Sequence, residues 1–65
     1  MTREAFEKLP KAAQTRIEYL RGKIKTDSRH RELYITKGTG YIEGFRDAGI
    51  ITDYEHKALK CYLTI

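Results

Sequence analysis

The feature that most constrains the fold is a helical repeat of apolar residues between Arg29 and Gly49, in the middle of the 65-residue chain. Apolar or small residues recur at steps of three and four on one side of this stretch: Tyr34, Gly38, Tyr41, Phe45 and Ala48, with Ile35 and Ile42 beside them. Polar residues recur at the same steps on the opposite side: Glu32, Thr36, Thr39, Glu43 and Arg46. Two interleaved sets with one period predict an amphipathic helix over residues 29–48.

Gly38 and Gly40 argue against that helix, because each costs a helix interior about 1 kcal/mol relative to alanine. One alternative is a β-hairpin over residues 32–45 with its turn at residues 37–40, which would make the fold α+β. A helix broken or kinked at the glycines is a third interpretation. The continuous helix is favoured because its period runs across both glycines, whereas an isolated hairpin is marginally stable unless a helix packs on it.

Two local signals lie directly after the central stretch. Gly49 occupies the position of a left-handed C-terminal cap, after which Ile50 could fold back onto Phe45. Thr52 and Glu55 then form the pattern of a capping box, which predicts a last helix over residues 53–64. Its predicted apolar face is wide and is built from Tyr54, Ala58, Cys61, Tyr62 and Ile65, with Leu59 and Leu63 broadening it.

Another helix is predicted before the central one, over residues 10–25. Pro10 suits the first position of a helix and disfavours helical geometry at Leu9, so a short N-terminal helical turn should end there. The helix after it carries a narrow apolar stripe at steps of four, three and four: Ala13, Ile17, Leu20 and Ile24.

The predicted fold is therefore all-α: one domain over residues 1–65, a compact bundle of three main helices (about 10–25, 29–48 and 53–64) with a short N-terminal helical turn. Gly40 and Gly44 lie four residues apart, a spacing that lets two helices approach closely within such a bundle.

The composition of the chain indicates the cellular compartment in which we expect it to act. The N-terminus is charged and the chain has no apolar run of transmembrane length, so we expect neither a secretion signal nor a membrane partner. The one cysteine, Cys61, excludes an intrachain disulfide and fits a reducing compartment. These features predict a cytoplasmic protein.

No motif predicts catalysis. The only histidines are His30 and His56, and the only thiol is Cys61, five residues after His56 and outside the usual metal-ligand spacings. We interpret the histidines as partly exposed helix residues and Cys61 as a small core residue. The sequence thus predicts no enzyme, and neither a metal, a cofactor nor a small-molecule substrate is indicated.

Positive charge is concentrated in the middle of the chain. Residues 21–37 carry six basic side chains and two acidic ones, a net charge of +4, while residues 38–65 carry three basic and four acidic ones, a net charge of −1. The basic side chains are the predicted partner-binding residues: Arg21, Lys23, Lys25, Arg29, Arg31 and Lys37. Such a basic corner suits a nucleic-acid backbone or an acidic protein, although a merely solvated face also explains it.

Tyrosine is frequent, with five copies and no tryptophan. A core this small cannot bury all of them, and tyrosine supplies rigid, half-polar contact area in interfaces. The predicted interface aromatics are Tyr34, Tyr41, Tyr54 and Tyr62.

Residues 41–56, YIEGFRDAGIITDYEH, resemble the helix, turn and capped helix of many short bacterial proteins encoded by phages and mobile elements. The resemblance covers about a quarter of the chain. It implies a regulator or inhibitor that acts by binding, and it assigns no functional residue.

The leading hypothesis is a non-catalytic protein-binding module that occludes a partner surface and could also form a homodimer. The alternative is a nucleic-acid-binding protein that uses residues 21–37. A helix–turn–helix arrangement across residues 49–52 is poorly supported because the last helix, with two acidic and two basic side chains, is neutral.

Overall fold

A computed structural model describes residues 2–65. Its helices are α1 (Thr2–Glu7), α2 (Lys11–Thr26), a 3₁₀ turn (Ser28–His30), α3 (Arg31–Asp47) and α4 (Asp53–Thr64), and this part of the chain contains no strand. The predicted all-α bundle of three main helices with a short N-terminal one is confirmed. The hairpin alternative at residues 32–45 is wrong, because α3 passes without interruption through both glycines.

Gly38 is where α3 comes closest to α4. A Cβ atom placed on Gly38 would lie 2.5 Å from a methyl group of Leu63, whose side chain is buried. Tertiary packing therefore offsets the low helix propensity of this glycine. The predicted close approach at Gly40 and Gly44 is wrong, since both positions face open space.

The helix ends follow the predicted local chemistry. Gly49 has a φ of 77°, its N–H donates to the Arg46 carbonyl, and the Ile50 N–H donates to the Phe45 carbonyl, which together form a Schellman cap. At the start of α4, the Thr52 hydroxyl accepts from the Glu55 N–H at 3.1 Å, and the Glu55 carboxylate accepts from the Thr52 N–H at 2.9 Å. The predicted capping box is thus confirmed.

The core lies between α2, α3 and α4, with α1 covering one end of it. Its buried apolar side chains are Ala5, Phe6, Leu9, Ala13, Ile17, Leu20, Ile24, Ile42, Ile51, Leu59 and Leu63. The stripe predicted for α2 is fully buried, as expected. On α3 the centre of the buried face is Gly38 and Ile42, while Tyr34, Tyr41 and Phe45 lie at its edge.

The predicted core face of α4 is wrong. The buried residues are His56, Leu59 and Leu63, whereas Cys61 and Ile65 face solvent. The interpretation of His56 as partly exposed and of Cys61 as a core residue is wrong for the same reason. Apolar residues cover much of the circumference of α4, and packing against α3 and α1 selects the side that carries Leu59.

α1 is held against α4 and the start of α2. The ring centres of Phe6 and Tyr62 lie 5.1 Å apart, and the Lys8 ammonium lies 2.7 Å from a carboxylate oxygen of Glu55. The Gln14 amide donates to the Leu9 carbonyl at 2.9 Å, which satisfies the backbone at the break before α2. None of the helices in residues 2–65 is both long and apolar enough to cross a membrane.

Candidate functional site

Arg21, the first of the predicted binding residues, holds two helices together. Its Nε donates to the Tyr62 carbonyl in the last turn of α4 at 2.8 Å, and its guanidinium lies 4.1 Å from the centre of the Tyr62 ring. Its Nη1 also donates to the carboxylate of Glu18 at 3.2 Å. Arg21 has 18% of its side chain exposed and holds α2 against the last turn of α4.

Tyr62, one of the predicted interface aromatics, belongs to the same cluster. Its hydroxyl donates to the Glu18 carboxylate, and this hydrogen bond, helped by partial burial, raises the pKa of the phenol above its ordinary value of 10.0. Arg21 lies over the face of its ring, and the ring of Phe6 packs against it at an angle of 45°. Tyr62 therefore packs within the bundle.

Three other predicted residues lie at the end of the bundle where the 3₁₀ turn joins α2 to α3. Lys25, Arg29 and Arg31 are exposed, and none of them forms an ion pair within residues 2–65. The nearby Asp27 carboxylate accepts instead from the N–H of His30 and pairs with its imidazole at 3.2 Å. Burial by itself raises the pKa of Asp27, but the hydrogen bonds from His30 outweigh it and lower that pKa.

The remaining predicted cations belong to one side of the bundle, which we call the α2–α3 face. On α2, residues at steps of three and four point the same way: Arg16, Tyr19 and Lys23. On α3, residues at the same steps flank the buried side: Tyr34, Lys37 and Tyr41. The two sets meet across the groove between the helices, where the Arg16 guanidinium lies 6.0 Å from the centre of the Tyr41 ring. The face thus alternates three cations with three tyrosines.

The carboxylates of α2 and α3 lie away from this face, while Asp27, which directly follows α2, interacts electrostatically with Lys23 at its end. Glu18, the one acidic residue of α2, is turned toward α4, where it meets Tyr62. On α3, Glu43 approaches His56 of α4 at 4.0 Å, and Glu32 and Asp47 fall on that same side by helical spacing. Consequently Arg16, Lys23 and Lys37 have no ion-pair partner among the described residues.

Two shallow hollows meet at Arg16. One, of about 240 Å³, is lined by Arg16, Leu20, Lys37 and Tyr41 and lies in the groove between α2 and α3. The other, of about 410 Å³, is lined by Ala12, Thr15, Arg16 and Tyr19 and lies on the outer surface of α2. The rings of Tyr41 and Phe45 pack in a T-shaped arrangement with their centres 5.2 Å apart.

Arg16 and Tyr19 were not among the predicted site residues. Tyr19 is 53% exposed, and the ammonium of Lys23 lies 5.7 Å from the centre of its ring. The spacing of Arg16, Tyr19 and Lys23 on one side of α2 was visible in the sequence, but Arg16 lies outside the segment with the highest net charge. The net charge of a segment therefore does not indicate Arg16.

The predicted aromatic Tyr54 lies elsewhere, on the outer side of α4. It is 59% exposed, and Ala58, Cys61 and Ile65 follow it at steps of four, three and four. Cys61 and Ile65 are also exposed, so α4 presents a narrow apolar stripe to solvent.

His56 is the one buried titratable side chain in the described part of the chain. Its Nδ1 lies 3.5 Å from the Arg46 guanidinium, which can only donate, so in a hydrogen bond between them Nδ1 is the acceptor. The Nε2 atom has no hydrogen-bond partner. Residues 2–65 contain no cluster of three or more side chains that could hold a metal ion.

Comparison of the chain with models of protein families, with curated proteins and with solved structures finds no match.

Proposed function

We propose that the chain is a non-catalytic binding module that docks an acidic protein partner through the α2–α3 face. The observation that supports this best is the grouping of Arg16, Lys23 and Lys37, each without an ion pair in the described residues, among tyrosines on a side that carries no carboxylate of α2 or α3. Arginine and tyrosine are the side chains that contribute most often to interface energy. Complementary charge adds to the rate of association and to specificity.

The proposed mode of action is occlusion of the partner surface. The resemblance of residues 41–56 to proteins of phages and mobile elements supports a regulator or inhibitor of this kind, which acts by covering a surface. The single thiol, which is exposed at Cys61, is compatible with the reducing cytoplasm in which we expect the protein to act.

A charge-matched pair of variants tests the proposal. The face variant replaces Arg16, Lys23 and Lys37 with glutamine, and the control variant replaces Lys11, Lys57 and Lys60, which lie elsewhere, with glutamine. The wild-type chain should capture a protein from nuclease-treated host lysate, and that protein, once purified, should bind at least roughly tenfold more weakly to the face variant. Equal binding to the two variants, or no saturable binding by the purified protein, would overturn the proposal.

Nucleic-acid binding is the second candidate function. Lys25, Arg29 and Arg31 favour it, because these exposed cations lie at the end of the α2–α3 face and have no ion pairs in residues 2–65. Phosphate contacts predict an affinity for a DNA duplex that falls steeply between low and moderate salt, and that drops further when Arg29 and Arg31 become alanine. Absence of any electrophoretic shift at low salt would remove this candidate.

Self-association is the remaining proposal about partners. The exposed stripe of α4, with Cys61 near its middle, has the spacing of a helix–helix contact. Sedimentation velocity at rising concentration measures the oligomeric state. If α4 pairs with α4 of a second copy, mild oxidation should join the copies through Cys61, and changing Ile65 to lysine should prevent it.

A further inference from the structure

The hollow between α2 and α3 combines two positive charges with an apolar wall. Arg16 contributes a guanidinium from α2, and Lys37 contributes an ammonium from α3. Neither cation has an ion-pair partner among residues 2–65, so the positive charge of the hollow is not neutralised by the fold. Leu20, which is buried, and the ring of Tyr41 close its inner side.

The position of these groups is set by the packing of the bundle. Leu20 belongs to the buried stripe of α2, and Tyr41 is adjacent to the fully buried Ile42 on α3. Since the two helices are packed against each other, Arg16 and Lys37 are brought together by the core and not by a flexible loop.

We propose that this hollow binds the phosphate group of a phosphorylated side chain on the protein partner. Two uncompensated cations match the charge of a phosphate monoester, about −1.5 to −2 at neutral pH, better than the single charge of a carboxylate. The guanidinium of Arg16 can hold two phosphate oxygens at once, and Lys37 adds a point charge. The volume of about 240 Å³ also leaves space beside the apolar wall for the carbon stem of the side chain.

This inference rests on the proposed function, in which the partner is a protein. It adds that the group bound in the hollow is a phosphate. Tyr19 and Lys23 extend from the hollow along α2, and Tyr34 extends along α3. These side chains would contact the residues that flank the phosphorylated one.

Binding of small probes to the full chain tests the site without the partner. Amide and side-chain NMR shifts are followed while inorganic phosphate, O-phosphoserine, O-phosphotyrosine and adenosine monophosphate are added in turn. Saturable shifts should be confined to the surroundings of Arg16, Lys37 and Tyr41. Arg16→Gln should weaken binding of the phosphoamino acids by at least about tenfold, because it removes charge-assisted hydrogen bonds to the phosphate, while the charge-matched Lys57→Gln should leave it unchanged.

Acid provides a second readout, because a phosphate monoester loses its second charge below a pKa of about 6. Binding of O-phosphoserine should weaken several-fold between pH 7.5 and pH 5. Equal affinity at both values would contradict the match to a dianion. Shifts spread evenly over all exposed cations, or no shifts, would overturn the site, and tighter binding of adenosine monophosphate than of either phosphoamino acid would overturn the protein partner.

The two proposals fail separately. Local, Arg16-dependent binding of phosphoamino acids with no protein captured through the α2–α3 face would leave the anion site standing and remove its assigned partner. Capture of a partner through the face with no binding of these probes would leave the docking function and remove the phosphate site.

Discussion

At Gly38, replacing glycine with alanine is expected to destabilise the fold, which is the opposite of the usual effect in a helix. Changing glycine to alanine in a helix interior normally stabilises it by roughly 0.5–1 kcal/mol. At Gly38 a new Cβ would lie 2.5 Å and 2.9 Å from the two methyl groups of Leu63. Leu63 is only 1% exposed and has little room to move, so the clash should exceed the gain in propensity.

The first prediction compares Gly38→Ala with Gly40→Ala. Gly38→Ala should lower the free energy of unfolding by about 1–2 kcal/mol, because overpacking outweighs propensity. Gly40→Ala should raise it by roughly 0.5–1 kcal/mol, since nothing lies within 4 Å of the added methyl group. Urea unfolding followed by circular dichroism measures both. Two stabilised variants would mean that Leu63 moves aside freely.

A second prediction concerns His56, whose Nε2 is buried without a hydrogen-bond partner. Leucine has a comparable size and would remove this polar atom at the loss of one long contact, 3.5 Å, to Arg46. His56→Leu should therefore leave the free energy of unfolding unchanged or raise it by up to about 1 kcal/mol. A loss of more than about 2 kcal/mol in the same unfolding experiment would mean that the imidazole donates to Glu43 in solution.

At the scale of elements, the capping box at the start of α4 is supported by Lys8, a residue distant in the sequence. Glu55 accepts from the Thr52 N–H within the capping box, and it also accepts from the ammonium of Lys8, which follows α1. The hydrogen bond from Lys8, followed by that from the Thr52 backbone, lowers the pKa of Glu55 below its ordinary value of 4.5. Ionised Glu55 thus ties the end of α1 to the start of α4.

The third prediction is a dependence of stability on acid. Because the pKa of Glu55 is lower in the folded chain, its stabilisation is present above the unfolded pKa and is lost as the pH falls through the folded value. Lys8→Met should therefore reduce the difference in urea midpoint between pH 7 and pH 3, while Lys57→Met on the exposed side of α4 should not. An unchanged difference in the Lys8 variant would show that the ion pair does not form in solution.

At the scale of the whole molecule, the basic side chains fall into two groups. One group forms ion pairs that hold helices together, and the other faces solvent without an ion pair in the described residues. Cations near the start of α4 are paired with carboxylates, as in Lys8 with Glu55 and Arg46 with Asp53. The lysines and arginines of the α2–α3 face and of the adjoining turn form no ion pair within residues 2–65, although Lys23 interacts electrostatically with Asp27. This division, more than the net charge, makes the α2–α3 face the candidate binding surface.

The fourth prediction separates Arg21 from the other basic residues. Arg21→Ala should lower the free energy of unfolding by about 1–3 kcal/mol, because it removes a charged hydrogen bond to the Tyr62 carbonyl and the stacking on its ring. Arg21→Lys should recover little, since an ammonium reproduces neither the planar stacking nor the two directions of donation. Lys23→Ala and Lys37→Ala, measured in the same way, should each change stability by less than about 0.5 kcal/mol. An unchanged free energy of unfolding in Arg21→Ala would contradict this structural role and leave Arg21 as a candidate binding residue.

Much of the fold was determined by the sequence itself. The period of α3, the stripe of α2, the cap at Gly49 and the capping box of α4 depend on residues within a few positions of one another. Their physical causes, backbone hydrogen bonding and one-sided burial, act along a single element. These features can therefore be predicted without any contact between helices.

Only the tertiary structure decided which side of α4 is buried, why Gly38 is a glycine, and that Arg16 lies beside Lys37 and Tyr41. Each of these depends on contacts between helices that are distant along the chain. An apolar pattern wide enough to allow two buried faces does not choose between them, and net charge counted by segment does not show which side chains meet across a groove. The candidate site is a product of helix packing, because its side chains come from α2 and α3 and meet only where these two helices lie side by side.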